Sequence, residues 1–166
     1  MNRSVLVAGI GNIFLGDDAF GVEVVNRLLA QRPPPEGVCI ADYGIRSYDL
    51  AYALMEEWRL VILVDALPRG GEPGTLYVLE PQIPEGQTVH PSLDAHTMNP
   101  LAVLQLVSAL GGKVGKMLVV GCEPADVEPD DLGSTGLSEP VRAAVDEAVR
   151  MVEDLINRAR SETAAA

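Results

Sequence analysis

Apolar positions along this chain fall into two kinds of segment that alternate. Continuous apolar runs, SVLVAGI from Ser4 to Ile10, then VCIADY and LVILVDA, have the length and composition of strands buried on both faces. Between them the apolar residues recur at helical spacing. AFGVEVVNRLLAQR places Phe20, Val24, Val25, Leu28 and Leu29 on one face and is stopped by Pro33 to Pro35. SYDLAYALMEEW predicts a second helix, with Ser47 as its cap. Strand, helix, strand, helix, strand is the order of a parallel, doubly wound sheet. The pattern changes after the third strand. ALPRGGEPG, from Ala66 to Gly74, is too short for a parallel crossover, which takes about a dozen residues. The strand TLYVL that follows is therefore expected to run antiparallel, toward an edge. An irregular stretch, EPQIPEGQTVHPSLDAHTM, leads to a third helix, NPLAVLQLVSAL, with Asn99 as cap and Pro100 in its first position. MLVVGC predicts the fifth strand, and SEPVRAAVDEAVRMVEDLINRAR a closing helix capped by Ser138.

The expectation is one α/β domain over residues 1–160, with 161–166 as a frayed tail. It is a three-layer sandwich: a five-stranded, mostly parallel twisted sheet with one antiparallel strand and helices on both faces. Composition refines this picture. Of the 166 residues 48% are hydrophobic but only 4% aromatic, so the core is aliphatic. The formal net charge is −12 and Lys and Arg are scattered, which argues against nucleic acid or an anionic membrane as partner. No apolar run approaches the roughly 18 residues that span a bilayer. SVLVAGIGN lacks a cleavage site and reads as a strand, not a signal peptide. Cys39 and Cys122 both fall in strands and are expected as reduced core thiols, which makes a cytoplasmic location the default.

The chemistry begins at GIGNIFLGDDAFG, Gly9 to Gly21. Gly9 and Gly11 fit the first two positions of a dinucleotide fingerprint, but Phe14 takes the third. Gly11 and Gly16 have P-loop spacing, but Asp17 and Asp18 stand where Lys and Ser or Thr belong. Two carboxylates there repel a phosphate, so no nucleotide is expected. One use of the pair is capping, worth roughly 0.3–1 kcal/mol at a helix start, and a single acid suffices for it.

Outward winding from the first strand gives the order 2-1-3 and puts a reversal between strands one and three, where such sheets bind ligands. Asp17 and Asp18 follow strand one, Asp65 closes strand three, and Asp42 ends strand two nearby. Clustered carboxylates resist ionising together unless a cation joins them. The chain has two histidines. His96 lies just before the third helix, whereas His90 precedes a proline in the loop. Asp, Asp and His form an open, oxygen-rich site suited to a divalent metal. H-E-x-x-H and G-x-S-x-G are absent, and neither cysteine starts a helix beside a histidine. The acids of EPADVEPDD (Glu123, Asp126, Glu128, Asp130 and Asp131) follow strand five on the same edge, where they could draw in a partner or form a solvated loop.

GIGNIFLGDDAFG, the VDA at Val64 to Ala66, the His96 segment leading into NPLAVLQL, GCEP and GLSEPV together resemble the hydrogenase maturation endopeptidases. The resemblance runs from Val5 to the closing helix. DYGIRSYDL looks like one branch of that family without indicating which hydrogenase is served. The resemblance implies a five-stranded twisted sheet flanked by helices. It implies an endopeptidase that removes the C-terminal extension of a nickel–iron hydrogenase large-subunit precursor after nickel insertion. The family's metal-contacting residues correspond to Asp18, Asp65 and His96, with Asp42 as a further carboxylate and Asp17 as a possible accessory. The metal is then nickel carried by the substrate, with no resident metal required, and the protein is expected to act as a monomer. On this reading the glycines of the turn let a foreign peptide approach the backbone. The alternative is a non-catalytic module that binds a metal or small ligand in the same crevice.

Overall fold

β1 (Val5–Ile10) is completely buried because it is central on both counts: strands flank it on either side and helices cover both faces. The computed structural model describes residues 4–81, 100–125 and 136–164. A 3-10 turn (Gly16–Ala19) follows β1, then α1 (Phe20–Gln31), β2 (Val38–Gly44), α2 (Ser47–Leu54) and β3 (Leu60–Ala66). After these come β4 (Leu76–Leu79), α3 (Pro100–Ala109), β5 (Lys116–Cys122) and α4 (Glu139–Ala164). The five strands lie in the order β2-β1-β3-β5-β4. All neighbouring pairs are parallel except β4 with β5. The mostly parallel sheet and its antiparallel edge strand are as the sequence pattern predicts, and the reversal lies between β1 and β3.

The continuous apolar runs have a plain physical cause. Successive side chains of a strand point to opposite faces, and here both faces are covered. Val5 and Val7 of β1, with Ile62 and Val64 of β3, pack beneath α1 and α4. Leu6, Ala8 and Ile10, with Val61 and Leu63, pack beneath α2 and α3. Each fully buried Val, Leu or Ile contributes about 1.5–3 kcal/mol relative to exposure, so the two layers hold the sheet from both sides.

Two glycines set how closely α1 rides on the sheet. A Cβ on Gly21 would lie 2.0 Å from the Val64 carbonyl oxygen and 2.4 Å from that of Ile10. One on Gly9 would lie 2.5 Å from the Gly21 carbonyl oxygen. At both positions the close approach is made by the chain's own backbone, not by a foreign peptide.

The remaining departures are local. α2 ends at Leu54, short of the expected Trp58, because the Trp58 indole N–H donates to the Ala53 carbonyl at 2.8 Å and turns the chain toward β3. Ser47 is the first helical residue of α2, not its cap, and no side chain caps that end. Cys39 is exposed, since β2 is an edge strand, whereas Cys122 is buried. α4 continues past Arg160 to Ala164, into the stretch expected to fray. Asn99 lies outside the described residues.

Candidate functional site

The site is assembled where β1, β2 and β3 end. Asp65 is the penultimate residue of β3, paired with Gly121 of β5. It is 3% exposed, and its Oδ1 has no hydrogen-bond partner among the described residues. Burial first, and then the charge of Asp18, push its pKa well above the ordinary carboxylate value, while the Ala66 backbone N–H partly offsets them. An ionised carboxylate with an idle, buried oxygen costs several kcal/mol, and a cation shared with Asp18 would remove much of that cost.

Asp18 is set in place by the turn that precedes it. Gly11 adopts φ 138°, and the Asp18 carbonyl oxygen lies 1.8 Å from where a Cβ on Gly11 would stand. Any side chain there would prevent the turn from closing. The Asn12 backbone N–H donates to Asp18 Oδ2 at 2.8 Å. The Asp18 N–H in turn donates to the Leu15 carbonyl at 3.1 Å. One Asp18 oxygen is thus committed to the turn, on a half-buried residue whose charge is felt by Asp65. Asp42 lies on the other flank of β1, paired with Gly9 and half-buried. Its backbone carbonyl accepts from the Arg46 guanidinium.

Asp17 has a different task from the accessory role expected of it. It is 4% exposed, and its carboxylate is already engaged. The Ser138 N–H donates to Oδ1 at 2.7 Å, while the Ala125 N–H, at 2.9 Å, and the Ser138 hydroxyl, at 2.8 Å, donate to Oδ2. Asp17 therefore ties the turn after β1 to the exit of β5 and the entrance of α4. Ser138 spends its hydroxyl on Asp17, not on a cap for its own helix.

Glu123, expected among the acids that greet a partner, is instead an internal strut. It is 4% exposed. Its Oε1 accepts from the Arg69 and Gly70 N–H groups at 3.0 and 2.9 Å. Its Oε2 accepts from the Arg69 N–H at 2.9 Å and the Tyr77 hydroxyl at 2.8 Å. Burial alone would raise its pKa, but the Tyr77 hydroxyl and the N–H groups of Arg69, Gly70 and Gly71 outweigh it and hold the carboxyl below its ordinary value. Burial, with the charges of Asp17 and Glu123, pushes the neighbouring Cys122 thiol up to about 12. That thiol stays protonated and is no nucleophile at neutral pH. RGG at Arg69 to Gly71 was the available signal for this anchor, being a run of backbone N–H groups free to fold around an anion.

The structure thus sets Asp18 where its charge acts on Asp65, leaves Asp42 on the other flank of β1 and gives Asp17 and Glu123 to the scaffold. His96 and His90 lie outside the described residues, as do Asp126, Glu128, Asp130 and Asp131. Among the described residues no group of three His, Cys, Asp or Glu side chains is arranged to hold a metal.

Comparison with known proteins points one way. A family model described as hydrogenase maturation protease matches residues 22–155. The coenzyme F420 hydrogenase subunit delta of Methanothermobacter thermautotrophicus is 32% identical over 160 residues, covering 93% of this chain and 96% of its own. The hydrogenase expression/formation protein HupD of Rhizobium leguminosarum bv. viciae is 33% identical over 152 residues, covering 89% of this chain and 73% of its own. Among solved structures, the hydrogenase maturating endopeptidase HybD from E. coli superposes with a TM-score of 0.72 at 29% identity, over 93% of both chains.

Proposed function

Because the chain belongs to the hydrogenase maturation protease family, we propose that Asp18 and Asp65, completed by His96, form the centre at which it receives a nickel-loaded precursor. The protein is an endopeptidase of hydrogenase maturation, a hydrolase that removes the C-terminal extension of the hydrogenase large subunit. The observation that carries the site assignment is the buried Oδ1 of Asp65, without a partner among the described residues and under the charge of Asp18.

The substrate's nickel has open positions that carboxylate oxygens and an imidazole nitrogen would fill. Docking then gains free energy only when the precursor is loaded, and unfinished substrate is refused by a difference of affinities. Asp42, on the far flank of β1, adds negative charge to the same edge. No helix among the described residues is long and apolar enough to cross a membrane. We place the reaction in the cytoplasm, with the protein acting as a monomer on its precursor. Membership of a protease family leaves the non-catalytic module without an observation in its favour.

Purified precursor, prepared with and without nickel, tests the assignment on a gel. Loaded precursor is shortened and nickel-free precursor is not. The Asp18→Ala, Asp65→Ala and His96→Ala variants fail on loaded precursor while keeping their circular dichroism. Efficient cleavage of nickel-free precursor would end the nickel requirement, and full activity of Asp65→Ala would end the site.

A further inference from the structure

Between β1 and Asp18 the chain exposes three large apolar side chains in succession. Ile13, Phe14 and Leu15 are 52%, 69% and 46% exposed. Contiguous apolar surface of this kind marks interaction sites on soluble proteins, whereas single exposed residues do not. The turn that carries them is held in shape. The Phe14 N–H donates to Asn12 Oδ1 at 2.9 Å, and the Leu15 N–H to the Asn12 carbonyl at 3.1 Å. Asn12 and Leu15 also make the two backbone contacts that fix Asp18. One hydrogen-bonded unit thus positions both the apolar side chains and the acid. A preformed surface binds at less entropic cost than one that must be ordered on contact.

The neighbouring loop carries exposed apolar residues as well. The Gly11 N–H donates to the Gly44 carbonyl at 3.0 Å, joining this turn to the loop that leaves β2. Ile45 and Tyr48, just beyond Gly44, are also exposed. The two loops leave neighbouring strands at the same edge as Asp18 and Asp42.

We propose that Ile13, Phe14 and Leu15, with Ile45 beside them, form the docking surface for apolar residues of the precursor that flank the scissile bond. The proposal rests on the reading of the Asp18–Asp65 crevice as the active centre. Two features favour the precursor over a second copy of this chain. The patch is continuous with Asp18 through the hydrogen bonds of a single turn, so whatever sits on it is delivered to the acid. The chain also carries a formal charge of −12, which makes two copies repel.

The test measures binding and cleavage separately, using nickel-loaded precursor. A double variant, Ile13→Ser with Phe14→Ser, is compared with the unaltered chain. Leu110→Ser serves as control, an exposed apolar residue just past α3 on the opposite edge of the sheet. The double variant should bind at least about tenfold more weakly, the scale of losing a buried aromatic anchor. Its turnover at saturating precursor and its melting temperature should stay close to those of the unaltered chain, and the control should bind normally. Equal affinities for the double variant and the unaltered chain overturn the proposal, as does failure of the unaltered chain to bind. A dimer of the unaltered chain that the double variant abolishes would assign the patch to a second copy and equally overturn it. Normal binding by the unaltered chain without cleavage would instead count against the protease reading, leaving the docking result to stand by itself.

Discussion

Asp65, near the end of β3, and Glu123, the residue after β5, stand at the same edge of the sheet and are 3% and 4% exposed. Around Glu123 the loop from Arg69 to Gly71 and the Tyr77 hydroxyl supply donors to both oxygens, and its pKa falls. Around Asp65 one oxygen has no partner among the described residues, the charge of Asp18 is felt, and its pKa rises. The difference separates an acid that holds the structure together from one whose charge the described residues leave uncompensated, the pattern that marks a candidate functional group.

Three substitutions sharpen or break this contrast. The largest effect is expected at Asp65→Asn, which keeps the shape and removes the charge. Cleavage should fall on the order of a thousandfold, the scale of losing a preorganised electrostatic group. Stability should move the other way. Because the folded pKa of Asp65 is raised, its contribution is fully present below the unfolded value of about 3.9 and is lost as pH rises through the folded value. The Asn variant should therefore melt with the unaltered protein in acid and above it at neutral pH. A variant less stable at neutral pH would mean that Asp65 is structural after all.

Asp17→Ala comes next. It removes the shared acceptor of the Ala125 and Ser138 donors. About 3 kcal/mol of stability should be lost, readable by urea denaturation, since hydrogen bonds to a charged group are each worth about 1.5–3 kcal/mol and do not add fully. An unchanged midpoint would place Asp17 with Asp18 instead of with the scaffold.

The smallest effect is expected at Glu123→Gln, because the amide keeps one acceptor for the N–H groups around it. The lowered pKa of Glu123 gives stability that is present above the unfolded value of about 4.3 and lost as pH falls through the folded value. The variant should melt lower at neutral pH and converge with the unaltered protein in acid, while cleavage at a temperature where both are folded stays nearly the same. A large loss of cleavage without loss of stability would erase the distinction between the two acids.

The sheet was legible because burial on both faces writes itself as unbroken apolar runs, and the short ALPRGGEPG connection excluded a parallel crossover. Asp65 was legible for the same reason: a carboxylate ending the run LVILV has no place in a core. Adjacent acids were harder. Asp17 and Asp18 look alike in sequence, and only the folded chain shows that one faces Ala125 and Ser138 while the other faces Asp65. Glu123 was misread because its donors come from Arg69 to Gly71, some fifty positions earlier, a relation that no local pattern records. Cys39 was misread because an apolar run does not reveal which strand will lie at the edge. The glycines were read correctly as places of close approach, but at Gly9, Gly11 and Gly21 it is the chain's own backbone that approaches.

The Asp17 clamp bears on how this protein can change. Residues 126–135 leave the described fold at Ala125 and rejoin it at Gly136, and one carboxylate grips the chain on both sides of that gap. Insertions and deletions between those points need not disturb β5 or α4. The sequence between Ala125 and Gly136 is therefore a place where selection can try new lengths and new charges while the ends of β5 and α4 stay as they are.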